Sequence, residues 1–110
     1  MLLNHRKLNL TCIVLSNNLK SNGADCDCIQ ADLIDTGGYA SLVSETIARF
    51  GGIDILVNAA GIEIEKTVEE TTLEEWNQSF AVNSTGTFLT SKYALPLMRE
   101  AAKSGSSASL

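Results

Sequence analysis

The stretch Ile53-Asp54-Ile55-Leu56-Val57, with the turn Asn58-Ala59-Ala60-Gly61 behind it, decides the fold. Five residues this apolar are too short for a surface helix and suit a strand covered on both faces. Gly51-Gly52 in front of the run ends a helix. Upstream, Tyr39, Val43, Ile47 and Phe50 recur at helical spacing, Leu42 widens the stripe, and Thr36 is the expected N-cap. Before that helix, Cys28-Ile29-Gln30-Ala31 reads as a strand ending at Asp32-Leu33, ahead of the helix-breaking pair Gly37-Gly38. Thr11-Cys12-Ile13-Val14-Leu15 is a β-branched run bounded by Ser16-Asn17-Asn18, read as another strand stopping in a turn. Gly23 falls in the connection, and Leu2 to Lys7 reads as the end of a helix.

Downstream, Thr72-Leu73-Glu74-Glu75 fits a capping box, so a long helix should run from Thr72 to about Lys103. Leu73, Trp76 and Phe80 form one stripe. Beyond Asn83, Phe88, Leu95 and Met98 are apolar, and so are the neighbouring Leu89, Tyr93 and Leu97. That half needs cover on two sides: one stripe should pack on the sheet and the other is left for a partner. Pro96 removes an amide and should bend the helix, and the small polar residues Ser104 to Ser109 read as a loop. The order strand, strand, helix, strand, helix implies an α/β class: part of a Rossmann-like, doubly wound parallel sheet, in one domain spanning residues 1–110.

Composition narrows the function classes. The chain has 110 residues, 45% hydrophobic and 19% charged, as a globular segment should. A net charge of -5 argues against nucleic-acid and anionic-membrane partners, which clustered cations hold. The one basic cluster, His5-Arg6-Lys7, reads as a solvated helix end. No apolar run approaches the roughly 20 residues that span a bilayer, and no signal peptide is read at the N-terminus. Cys12, Cys26 and Cys28 have no metal spacing, so no metal site is expected. Their odd number points to reduced thiols and an intracellular location, the cytoplasm first and the mitochondrion second.

In open α/β sheets, ligands bind beyond the carboxyl ends of the strands. The residues in question are Ser16-Asn17-Asn18, Asp32-Leu33 and Asn58-Ala59-Ala60-Gly61, all polar or very small. Here the sequence resembles the short-chain dehydrogenase/reductase family. Asp54-Ile55-Leu56-Val57-Asn58-Ala59-Ala60-Gly61 is similar to that family's Asp-x-Leu-Val-Asn-Asn-Ala-Gly, with an alanine where the second asparagine would stand. Asp32, Trp76, Val82-Asn83, Gly86 and Phe88-Leu89 follow in the family's order. The resemblance implies that Asp32 bonds the adenine amino group, with the Leu33 amide beside it. It also implies that Asn58 braces the sheet, and that Ala59, Ala60 and Gly61 let the backbone approach the ribose. Asn83 matches the asparagine of the catalytic tetrad, whose backbone carbonyl, exposed at a helix bend, holds a water of a proton relay. Ser16 and Asn17, at a strand end without a carboxylate, favour NADP over NAD as the cofactor of the intact enzyme.

The same resemblance implies hydride transfer between the nicotinamide and a small carbonyl or alcohol substrate, with 3-oxoacyl-thioester reductases the nearest likeness. It further implies a homo-oligomer through the helix carrying Leu89, Tyr93 and Leu97. Neither the glycine-rich pyrophosphate loop nor Tyr-x-x-x-Lys occurs: Tyr39 is followed four residues on by Val43, and Tyr93 by Leu97. The expectation is therefore a fragment lacking the first strand and the C-terminal part, inactive alone and holding no nucleotide tightly. Tyr93 reads as helix packing, and Ser106, Ser107 and Ser109 as loop residues. The alternative is a non-catalytic interaction or regulatory protein that uses the long helix as a docking surface.

Overall fold

The computed structural model describes residues 9–105, with side chains from residue 14 onward. The expectations for Leu2 to Lys7, the thiol of Cys12 and the serines at 106, 107 and 109 lie outside the described residues. Among those described, four α-helices and one π-helical turn follow in the order α1 (Asn9–Ser21), α2 (Gly38–Phe50), α3 (Leu73–Phe80), the π turn (Ala81–Gly86) and α4 (Thr87–Lys103).

The strand expected at Thr11 to Leu15 is instead part of α1. Nothing between Leu15 and Gly23 stops a helix, and the strand preference of a β-branched run is weak where no neighbour pairs with it. Ser16 faces inward, 5% exposed. Ser21 Oγ donates to the Asn17 carbonyl and Asn22 Nδ2 to the Asn18 carbonyl, each at 2.9 Å, so the supposed turn is a last helical turn. The helix ends at Ser21, and the turn after it passes through Gly23, whose φ of +86° only glycine adopts freely.

The segments around Cys28 and Ile55 each hold a single bridge residue, and the described residues contain no longer strand. A parallel strand exists through its neighbours' hydrogen bonds, and no ladder forms here. Ile53 and Leu56 pack with Val43 of α2 and with Ala94 and Met98 of α4. Ile55 and Val57 stay exposed, so this segment is covered on one face, not two as expected.

Helix α2 starts later than Thr36: Gly37 is its N-cap without a side-chain bond, and Asp35 Oδ1 accepts the Gly37 amide at 2.9 Å instead. It stops at Gly51, whose φ is +83° and whose amide donates to the Ile47 carbonyl at 2.7 Å. The capping box at Thr72 and Glu75 is present in full. Pro96 lies inside α4, and the long helix is interrupted earlier, by the π turn.

The two stripes of α4 divide otherwise than expected. Leu89 packs on a core of Leu33, Tyr39 and Val82, whereas Phe88 is 61% exposed. The residues that sink are Thr90, Ala94 and Met98, four apart on one line. Tyr93 and Leu97 are exposed. Cys28 is disulfide-bonded, which corrects the reading of three reduced thiols, and among the described residues Cys26 is a free thiol.

Candidate functional site

Asp32 closes a tight turn. Its Oδ1 accepts the Ile34 amide at 3.0 Å and its carbonyl accepts the Asp35 amide at 3.2 Å. The turn holds the carboxylate at the surface, where its second oxygen has no hydrogen bond among the described residues. Leu33 is buried beside it, and its carbonyl accepts the Tyr39 hydroxyl at 2.8 Å.

The second component is Asn83, in the middle of the π turn. Its carboxamide grips Ile62 from both sides: Oδ1 accepts the Ile62 amide at 2.8 Å and Nδ2 donates to the Ile62 carbonyl at 2.9 Å. Nδ2 also donates to Ser79 Oγ at 3.2 Å. One side chain thus satisfies both backbone groups of the residue that follows the Asn58-Gly61 turn. Gly61 packs closely here: a β-carbon would come 3.3 Å from Asn83 Oδ1, a tight contact that the carboxamide would have to ease. Asn58 Nδ2 donates to Ser91 Oγ at 3.3 Å, so the bracing expected within the sheet runs instead from the turn to α4.

Leu33, Tyr39 and Val82 form one small core with Ile62 and Leu89 against it. That core is what brings Asp32-Leu33, Gly61 and Asn83 together. Ala59 and Ala60 are exposed beside them, leaving the backbone open to approach. Ser16 and Asn17 are not part of this group, since both lie in α1. The premise that they end a strand fails, and with it the argument for NADP.

An aliphatic concavity lies apart from these turns. A groove of about 440 Å³ runs between α1, α2 and the Ile53 to Val57 segment; it includes Ser16 but none of Asp32, Asn83 or the Asn58-Gly61 turn. Its lining is mostly aliphatic and carries the carboxylates of Asp25, Asp27 and Asp54, which would repel a pyrophosphate. The polar groups that could recognise a nucleotide are at the turns.

Sequence pattern does not reveal Ile62, Ser79 or Ser91 as partners in this site, and shows Tyr39 only as a member of a helical stripe. The Asn83 to Ile62 bond spans 21 residues, and no local periodicity encodes it.

Comparison with known proteins gives the family. Residues 6–107 match the family described as short chain dehydrogenase. Versicolorin reductase 1 of Aspergillus parasiticus is 39% identical over 82 residues, which are 74% of this chain and 31% of that protein. Among solved structures, a blue fluorescent protein from a metagenomic library in complex with NADPH superposes with a TM-score of 0.79 at 26% identity, over 87% of this chain and 39% of that one. The NADH-dependent reductase A1-R′, responsible for alginate metabolism, superposes with a TM-score of 0.77 at 28% identity, over 88% and 40%. The chain therefore spans about three-tenths of the length of the curated relatives it matches. Matched along nearly its whole length, the chain belongs to the short-chain dehydrogenase family.

Proposed function

We propose that a protein carrying this segment is a nicotinamide-nucleotide-dependent oxidoreductase acting on a small carbonyl or alcohol, and that this segment holds the adenosine half and presents Asn83. The observation that carries the reading is the Asn83 clamp on Ile62 within a π turn, a helical irregularity that often marks functional sites. The residues present fit an adenosine: a surface carboxylate on Asp32, and a turn of alanines and glycine that the Asn83 carboxamide meets at close range. When bound, the nicotinamide supplies or accepts the hydride. Asp32 and the Leu33 amide orient the base, Ala59 to Gly61 admit the ribose, and Asn83 holds that turn against the helix. NADP over NAD has lost its support, because Ser16 and Asn17 are helical. Val57 to Gly61 make 3-oxoacyl thioesters the substrates to try first.

Asn83, Asp32 and their turns do not provide a general acid, and the 110 residues contain no Tyr-x-x-x-Lys. The test is accordingly a chimaera in which residues 9–105 replace the matching stretch of versicolorin reductase 1. Nicotinamide-dependent reduction should survive the exchange and fall by about a hundredfold or more with Asp32→Ala and Asn83→Leu combined, a loss in the range of positioning and proton-transfer defects. The isolated chain should give no turnover with acetoacetyl thioester. A folded chimaera whose rate ignores both substitutions would remove the proposal.

A second reading, a non-catalytic partner of a related chain, is favoured by the face of α4 on which Tyr93 and Leu97, four apart, are uncovered. The same face supports homo-oligomer formation in a complete enzyme. A chimaera that assembles but shows no activity even with Asp32 and Asn83 intact would point to the docking role.

A further inference from the structure

Tyr39 lies between the two turns of the site and touches both. Its side chain is 2% exposed, and its hydroxyl donates to the Leu33 carbonyl at 2.8 Å. A buried phenol needs such a partner, since an unmade hydrogen bond there is costly. Burial first, and the Asp32 charge second, push the phenol above its ordinary pKa, so it remains a donor. On its other side stands Gly86, the last residue of the π turn. A β-carbon at position 86 would come 2.8 Å from Tyr39 Oη, closer than such contacts allow, but 3.8 Å from Cζ, an ordinary contact. The hydroxyl is thus held between the Leu33 carbonyl and the Gly86 backbone.

We propose that Tyr39 is a positioning residue that couples the Asp32-Leu33 turn to the Asn83 turn, its hydroxyl setting both the Leu33 carbonyl and the closeness of Gly86. The proposal deepens the nucleotide reading above and rests on it for the role of Asp32. Its mechanical content is separate. A methyl at position 86 pushes the hydroxyl, and the hydroxyl carries the Leu33 carbonyl with it. With phenylalanine at position 39 the push has nothing to act on. The Ala81 carbonyl, 3.4 Å from the same β-carbon, is present in both backgrounds and cancels from the comparison.

The experiment uses the full 110-residue chain at micromolar concentration. Amide exchange is followed by mass spectrometry in the wild type, Tyr39→Phe, Gly86→Ala and the double variant, with and without millimolar 5′-AMP. Gly86→Ala should speed exchange in the peptide spanning residues 32–38, and should add several-fold less on top of Tyr39→Phe. Equal increments in the two backgrounds overturn the coupling. 5′-AMP should protect the same peptide in the wild type, with an affinity several-fold weaker in Tyr39→Phe. Val43→Ala, in the other core, loosens α2 without touching the hydroxyl and should leave that affinity unchanged. An equal loss there reduces Tyr39 to a packing residue and overturns the positioning role. If 5′-AMP protects nothing in the wild type, the adenine reading of Asp32 fails, while the exchange increments still decide the coupling.

Discussion

Removing the Asn83 carboxamide would leave the Ile62 N–H and C=O to find water instead of a fixed partner. Ile62 is half-buried, so the cost of Asn83→Leu should sit at the low end of the range for broken backbone pairs, about 1 kcal/mol. Urea denaturation of the two chains checks this, and an unchanged midpoint would mean that the clamp contributes nothing to stability. Asn83→Asp should recover only part of the loss, because a carboxylate accepts the Ile62 amide but cannot donate to its carbonyl. Asp32, Gly61 and Asn83 were legible in the sequence because spacing along the chain carries them. Their mutual geometry was not, since Tyr39 and Ile62 reach the site by packing across separate elements. Gly86 shows the difference well: a glycine is easy to see, but its reason is a hydroxyl 47 positions earlier in the chain.

Among the elements, α3 owes its start to a local and readable device. Thr72 Oγ1 accepts the Glu75 amide at 3.2 Å, and Glu75 Oε2 accepts the Thr72 amide at 2.9 Å. Thr72→Ala should cost about 1 kcal/mol, measured as lost amide protection in residues 73–80. The Lys66 ammonium, and after it the Thr72 amide, hold the Glu75 carboxyl below its ordinary value of 4.5. A carboxyl lowered in the folded state stabilises that state above the unfolded pKa, and the gain is lost as pH falls through the lower folded value. Protection of α3 should therefore drop as the solution is acidified below the ordinary carboxylate range, and Glu75→Gln should flatten that drop. Helix α4 makes a different prediction. Phe88 is 61% exposed with the Lys92 Nζ 5.8 Å from the ring centre, and Leu97 is 40% exposed. In the chimaera, Phe88→Glu with Leu97→Glu should reduce the mass by light scattering to that of a single chain; an unchanged mass would rule α4 out as the interface. The capping box was readable because it closes within four residues. The identity of α1 was not, because a five-residue β-branched run suits a strand only when another strand lies beside it.

For the molecule as a whole, the decisive quantity is uncovered surface. The chain exposes 7510 Å², against about 5,900 Å² for a compact protein of its mass. Apolar side chains uncovered at the aliphatic groove between α1 and α2 include Ile55, 69% exposed, and Val57, 71% exposed. Covering a side chain of this kind contributes roughly 1.5–3 kcal/mol, so leaving two uncovered forgoes an amount comparable with the smaller net stabilities of domains, about 5 kcal/mol. Each uncovered residue also sits in a segment whose backbone has no ladder, which gives an incoming strand both apolar contacts and hydrogen bonds. The isolated chain should therefore bind the dye ANS and self-associate as its concentration rises. Ile55→Thr with Val57→Thr keeps β-branched side chains while removing apolar surface, and leaves Ile53 and Leu56 in their core with Val43, Ala94 and Met98. That double variant should delay the onset of light scattering and lower the ANS signal, with helical content by circular dichroism unchanged. If it scatters as early as the parent, the association runs through another surface, and the Phe88 and Leu97 substitutions in the isolated chain then show whether that surface is α4.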